Sequence, residues 1–194
     1  MSLTLSTMLP LGTKAPPFSL VDVVSGRQTS LGDVSDGKHG LLVMFICAHC
    51  PFVIHVQDEL ARIGHDYASE GLGIVAISSN SVVSHPQDAP DKLKAMAREL
   101  GFRFPYLYDE SQSIAGAYTA ACTPDFFLFD RDNSLVYRGR LDASRPDNGV
   151  PVDGRDLRAA IDAMLAGEPN LAEQVPSAGC NIKWAPGNEP AYFG

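Results

Sequence analysis

The sequence has no apolar run near the roughly 18 residues that a membrane-spanning helix requires, and no basic cluster relieves its formal net charge of −8. The first absence argues against a helical membrane span, the second against a nucleic-acid partner. Met1 to Pro10 lacks the basic start and sustained apolar stretch of a signal peptide, and part of it reads as an expression scar. Cysteine is sparse, at four in 194 residues, too few for a secreted disulfide scaffold. A close cysteine pair in a reducing cytosol is redox-active or metal-binding, so the chain is expected to be cytoplasmic. No repeat and no break in composition marks a second domain. Residues 10–167 are expected to form one domain with a sizeable core. Residues 168–194 carry four prolines without periodicity and read as a tail of that same domain, docked through Trp184, Tyr192 and Phe193.

What is present concentrates in Cys47-Ala48-His49-Cys50, followed at once by Pro51. The apolar run Leu41 to Ile46 reads as a buried strand and the pattern after Pro51 as a helix. A strand therefore delivers two thiols to a helix start. Pro51 suits the first helical position, where its missing N–H has no partner to lose. Cys50 then falls at or near the N-cap, where unpaired amides and the helix dipole favour a thiolate. The thiolate is the reactive form of cysteine, and helix starts and Cys-x-x-Cys pairs both favour it. Two buried structural cysteines are the plain alternative.

Strands and helices alternate around this motif. Phe18 to Val21 and Arg27 to Leu31 flank Ser25-Gly26 as a hairpin. Phe52, Val56, Leu60, Ile63 and Tyr67 mark one helical face, with Gly71 as its stop. Leu72 to Ile77 reads as a strand, Ser81 to Ala89 as a loop, and the stretch from Pro90 as a helix ending at Gly101. Phe104 to Tyr108 reads as a strand and Ser113 to Ala121 as a short helix. Asp125 to Asp130 and Ser134 to Arg138 form a second hairpin pattern, with the two acids as strand terminators. Asp153 and Asp156 resemble an N-cap and its acidic third residue, opening a helix through Leu157, Ile161, Met164 and Leu165 that Gly167 closes. This order predicts an α/β fold with a mixed sheet covered on both faces.

The first hairpin, the strand ending in cysteine at a helix start, and Thr123-Pro124 before the second hairpin resemble the thioredoxin fold. Gly12 to Leu20, Tyr106-Leu107-Tyr108-Asp109 and Cys122 to Asp130 resemble the branch holding the alkyl hydroperoxide reductase/thiol-specific antioxidant proteins and the thioredoxin-like reductases. Cys47 to Val53 and Gly179-Cys180-Asn181-Ile182-Lys183-Trp184 are most similar to an uncharacterised peroxiredoxin-like subgroup. The resemblance implies a thioredoxin-like fold: a mixed central sheet flanked by helices, an N-terminal β-hairpin extension and a docked C-terminal tail. It also implies a cis Pro124 facing the cysteines, with Thr123 offering backbone groups to a bound thiol or disulfide. Counted from Phe45, the first cysteine of the thioredoxin-like reductases falls on Cys50 and their second on Val53. The threonine and proline of the peroxiredoxins fall on Cys47 and Val43, so the peroxide-activating set is incomplete.

These readings lead to a thiol–disulfide oxidoreductase, or peroxiredoxin-like antioxidant protein, with Cys50 as nucleophile. Cys47 is the first choice of resolving thiol and Cys180 the second. Thr123, Pro124 and His49 are candidate substrate-positioning residues, and Cys122 and Cys180 candidate extra redox thiols. His49 either stabilises the thiolate or only fills a bulky position, and His55 reads as a helix-face residue. For Cys122 a buried spectator thiol is the better reading, and Cys180 is equally readable as an ordinary cysteine on an anchored tail. Arg138 and Arg140 read as surface or salt-bridge residues. No bound cofactor is required. The expected partners are a protein or small-molecule disulfide or peroxide, and a thiol reductant such as a thioredoxin system. The rival reading is a zinc- or copper(I)-binding protein using Cys47, His49 and Cys50 with Cys122 or Cys180.

Overall fold

In the computed structural model, which describes residues 3–170 and 173–193, the chain begins with β1 (Leu3–Leu5), β2 (Ser19–Asp22), β3 (Gln28–Ser30) and α1 (Leu31–Ser35). It continues through β4 (Gly40–Phe45), α2 (Pro51–Asp66), β5 (Leu72–Ser78), α3 (Pro90–Glu99), β6 (Tyr106–Tyr108) and α4 (Ser113–Ala117). Then come β7 (Cys122–Thr123), β8 (Asp125–Asp130), β9 (Leu135–Tyr137), α5 (Arg155–Leu165) and β10 (Ala178–Asn181). Met1 and Ser2 of the N-terminal segment, and Leu171, Ala172 and Gly194 of the tail, lie outside the described residues.

The described strands form two sheets, β3-β2-β6-β5-β4-β8-β9 and β1-β10-β7. In the larger, β4 pairs in parallel with β5, and β5 with β6, while the remaining pairs are antiparallel. β4 is buried along its whole length, which explains its unbroken apolar run: both faces of the sheet are covered. Leu42 and Met44 pack with Val53, Val56, Leu60 and Ile63 of α2, Leu93 and Ala97 of α3, and Leu157 and Ile161 of α5. Leu41, Val43 and Phe45 pack on the other face with Val34 of α1, Ala115 of α4 and Trp184. Two parallel strands, β4 and β5, thus end side by side, and the loops beyond their carboxyl ends form the site described below.

Both hairpins, the strands at β4 and β5 and helix α3 match the expectations to within a residue or two, and α2 starts at Pro51 as expected but ends at Asp66, short of the expected stop at Gly71. Other elements differ. Helix α4 ends at Ala117, four residues short of the expected limit. Asp153 does not cap α5; Gly154 does, at φ 65°. The carboxylate of Asp142 takes the amides of Asp153 and Gly154 instead, at 2.9 and 2.7 Å. Arg138 is not a surface residue. It is buried, stacks over the Phe127 ring at 4.7 Å, and lies 3.6 Å from buried Asp125. Arg140 keeps the expected salt bridge, to Asp156 at 2.6 Å.

The tail departs furthest from its pattern. Its residues 178–181 form β10, the middle strand of the smaller sheet, paired to β1 on one side and β7 on the other. Beyond β10, Trp184 is buried and the Tyr192 hydroxyl donates to the Ala120 carbonyl at 3.1 Å. Phe193 does not dock; it is 44% exposed.

Candidate functional site

Cys47 leaves the end of β4, and Cys50 is the N-cap of α2 with Pro51 at the first helical position. The N-cap has φ −71° and ψ 124°, the extended geometry that lets the chain turn from strand into helix. Both thiols are buried. From the facing side, β7 presents Thr123, whose hydroxyl lies 3.4 Å from Cys47 Sγ. The Thr123 carbonyl accepts a hydrogen bond from the Cys50 thiol at 3.2 Å. The Thr123–Pro124 peptide bond is cis.

Strand alternation decides which of the remaining cysteines joins. Successive residues of a strand point to opposite faces, and directly opposed residues of neighbouring strands share a face. Thr123 opposes Cys180, and Cys122 opposes Asn181. Cys180 therefore falls on the Thr123 face and hydrogen-bonds with Cys50. Cys122 takes the other face, its thiol 3.5 Å from the Pro124 carbonyl, and burial and the nearby Asp125 push its pKa well up.

Cys50 is the sulfur on which the others converge. The Cys47 thiol is the main influence pulling its pKa down, against burial, with help from Cys180, Thr123 and the Val53 amide; the result is about 4. Cys47 is pushed well up by that same hydrogen bond, by burial and by the charge of Asp88. Cys180 is raised to about 12 by burial and by Cys50. The shifts run in opposite directions, downward at Cys50 and upward at its two neighbours. The Cys50 thiol donates to the Thr123 carbonyl, the Thr123 hydroxyl lies against Cys47, and the Val53 amide donates to the Cys50 backbone carbonyl at 3.0 Å.

A family model described as the AhpC/TSA family matches residues 11–138, which hold Cys47, Cys50, Thr123 and the strands around them. The chain belongs to the AhpC/TSA family. It is similar, at 54% identity and a TM-score of 0.93, to the crystal structure of an uncharacterized conserved protein from Geobacillus kaustophilus, over 96% of this chain and 98% of that one. It is 23% identical over 128 residues to the thiol-disulfide oxidoreductase ResA of Bacillus cereus, covering 66% of this chain and 68% of that protein. The thioredoxin domain of a thiol-disulfide oxidoreductase from Bacteroides vulgatus has the same fold, with a TM-score of 0.57 at 21% identity over 72% of this chain and 91% of that one. The chain is accordingly thioredoxin-like in fold, and its smaller sheet runs β1-β10-β7.

His49 is held by Asp88. Its Nδ1 bonds Asp88 Oδ2 at 2.6 Å, and its ring stacks on His85 at 4.9 Å. Asp88 is the residue that the sequence reading missed. It lies in a short 3-10 turn, Pro86–Asp88, inside the segment read as a loop. Fully buried, it accepts from the Ala48 and His49 amides at 2.9 and 3.1 Å and from Asn80 Nδ2 at 2.8 Å. A carboxylate that accepts several backbone amides fixes a loop firmly. Asp88 therefore sets the path of the Cys47–Cys50 turn. Asn80 Oδ1 in turn accepts the Lys183 amide at 2.8 Å, which ties the tail to the same cluster.

Cys47, His49 and Asp88 are the described residues that could hold a metal ion, their ligand atoms lying within 4.8 Å of one another. Both oxygens of Asp88 are already engaged, however, and coordinating an ion would strip acceptors from buried amides. The donor set suits a structural carboxylate better than a ligand.

Proposed function

We propose that the protein is a thiol–disulfide oxidoreductase with Cys50 as nucleophile and Cys47 as its resolving thiol. The observation that carries this reading is a single sulfur at a helix start, Cys50 at the N-cap of α2 and 3.2 Å from the Thr123 carbonyl, with Cys47 against the same threonine and Cys180 opposite it on the neighbouring strand. Cys50 Sγ attacks one sulfur of a substrate disulfide and the other leaves as a thiolate. Cys47 then attacks Cys50, which releases the bound substrate sulfur and leaves a Cys47–Cys50 disulfide. The geometry gives this order a cause. Cys47 holds its proton chiefly because it hydrogen-bonds to Cys50. Once Cys50 is covalently engaged, that influence is lost and Cys47 releases its proton more readily.

The same thiolate attacks a peroxide oxygen, breaking the O–O bond and releasing an alkoxide or hydroxide; Cys47 then attacks the sulfur of the resulting Cys50 sulfenic acid, forming the Cys47–Cys50 disulfide and releasing water. Cys47 and Val43 stand at the peroxiredoxin threonine and proline positions, which favours disulfide exchange over fast peroxide reduction. Thr123 and Pro124 line the approach to Cys50, and His49 with Asp88 holds the turn. A thiol reductant such as a thioredoxin system would return the disulfide to two thiols. No helix among the described residues is long and apolar enough to cross a membrane; a close, redox-active cysteine pair without a disulfide scaffold supports a cytoplasmic home. The metal reading is the weaker one because His49 and Asp88 already satisfy each other. Near-stoichiometric zinc or copper in untagged protein would favour it.

The test offers cystine and hydrogen peroxide separately to the reduced protein and to Cys50→Ser. The reading expects consumption of at least one, loss of it in Cys50→Ser, and a Cys47–Cys50 linkage by mass spectrometry. An unreactive Cys50 in the wild type would sink the proposal.

A further inference from the structure

The edge of β7 beside Cys50 is not open. An exposed strand edge holds an extended peptide by main-chain pairing, with alternate side chains presented to the surface beneath. At β7 that place is filled by β10 of the same chain, with Cys180 opposite Thr123 and Asn181 opposite Cys122. The Ile182 amide extends the pairing to the Ala121 carbonyl at 3.1 Å. Gly179 makes the close approach possible: a Cβ there would collide with the Thr123 carbonyl, the group that accepts from Cys50. Both ends of the strand are tied down. Before it, Ser177 Oγ donates to the Gly139 carbonyl at 3.0 Å. After it, the Lys183 carbonyl accepts from the Ser81 amide at 2.8 Å and from Gln112 Nε2 at 2.9 Å. The result is a cysteine-bearing extended segment, strapped across the site, with its thiol against Cys50.

We infer that β10 is a built-in substrate strand: Cys180 is a disulfide partner of Cys50, and the strand closes the Thr123 edge to protein substrates, leaving small disulfides as the external substrate class. The inference rests on the oxidoreductase reading above and names the substrate of that site. Starting from the Cys47–Cys50 disulfide, Cys180 sulfur attacks Cys50 sulfur. The Cys50–Cys180 bond forms, the Cys47–Cys50 bond breaks, and the proton leaving Cys180 ends on Cys47. One disulfide is present before and after, so the step needs no oxidant beyond the small disulfide that made the first bond. The disulfide thereby moves from the strand–helix junction to the tail strand.

The test uses the full chain and two probes, cystine and insulin. Under limiting cystine, acid-quenched peptide mapping should find Cys50–Cys180 in the wild type beside Cys47–Cys50, and Cys50–Cys180 as the main internal linkage in Cys47→Ser. With dithiothreitol as reductant, the wild type should turn over cystine roughly tenfold or more faster than insulin, because insulin needs the occupied edge. Gly179→Val, checked for folding by circular dichroism, should lose Cys50–Cys180 and narrow that preference. A Cys50 that reacts with cystine yet forms no linkage to Cys180 in either protein would overturn the inference and leave the oxidoreductase reading standing. Insulin turned over by the wild type as fast as cystine would do the same. A Cys50 inert to cystine overturns both.

Discussion

Cys47 and Cys180 both hydrogen-bond to Cys50, yet the chain brings them there by different physics. Cys47 arrives locally, three positions before Cys50, carried by the buried β4 into the start of α2. Cys180 arrives from 130 residues further on, through the pairing of β10 with β7 and the close approach allowed by Gly179. The local thiol is fixed by the core; the distant one depends on a short strand and on loop hydrogen bonds at Asn80, Ser81 and Gln112. The local contact therefore has the stiffer frame and the larger influence on Cys50, while the distant contact is the one that, in the proposal above, takes over the disulfide.

Each side of that comparison can be broken separately. The largest effect is expected from Cys50→Ser, which removes the sulfur both thiols share: disulfide turnover should fall by about 100-fold or more, as loss of a covalent nucleophile does. Next is Asp88→Ala, which leaves the Ala48 and His49 amides and Asn80 without their buried acceptor. Denaturant unfolding should show a loss of about 3 kcal/mol, the scale for breaking a buried charged hydrogen-bond cluster. Asp88→Asn should recover part of it. Cys47→Ala should raise the pH at which Cys50 becomes reactive more than Cys180→Ala does, because Cys47 is the leading stabiliser of the thiolate. Equal shifts would remove the distinction between the stiff contact and the exchangeable one. The smallest effect is expected from Tyr106→Phe. The Tyr106 hydroxyl is fully buried and has no hydrogen-bond partner among the described residues. Removing it should be neutral, or stabilise by about 1 kcal/mol.

The local half of the site was legible in sequence for the same reason that it is stiff. A buried strand, two thiols, a proline and an amphipathic helix follow one another without interruption, so period and capping chemistry locate Cys50 at the N-cap. Asp88 was not legible. It sits in a segment with no periodicity, and its partners are backbone amides forty residues away in sequence, which carry no side-chain signature. Its position follows from topology, since loops beyond the carboxyl ends of adjacent parallel strands meet. β10 was hidden for a similar reason. Ala178-Gly179-Cys180-Asn181 has neither β-branched residues nor alternation, and Gly179 is present for an approach that appears only once β7 is in place. Of the two readings of Arg138, the salt bridge is present and the surface position is not: Thr7, Thr119 and Asp125 surround it in the interior.

The central claim is that Cys50 is a thiolate made by its neighbours, and its titration tests this most directly. Ultraviolet thiolate absorbance of the reduced protein, taken as the difference between wild type and Cys50→Ser, needs no reagent to reach the buried sulfur. Cys50 has a lowered pKa, so its thiolate is present at neutral pH and is lost as pH falls through about 4. A difference signal constant from neutral pH down to mild acid, with its midpoint near 4, is the predicted result. A midpoint at the ordinary cysteine value of about 8.5 would contradict the account.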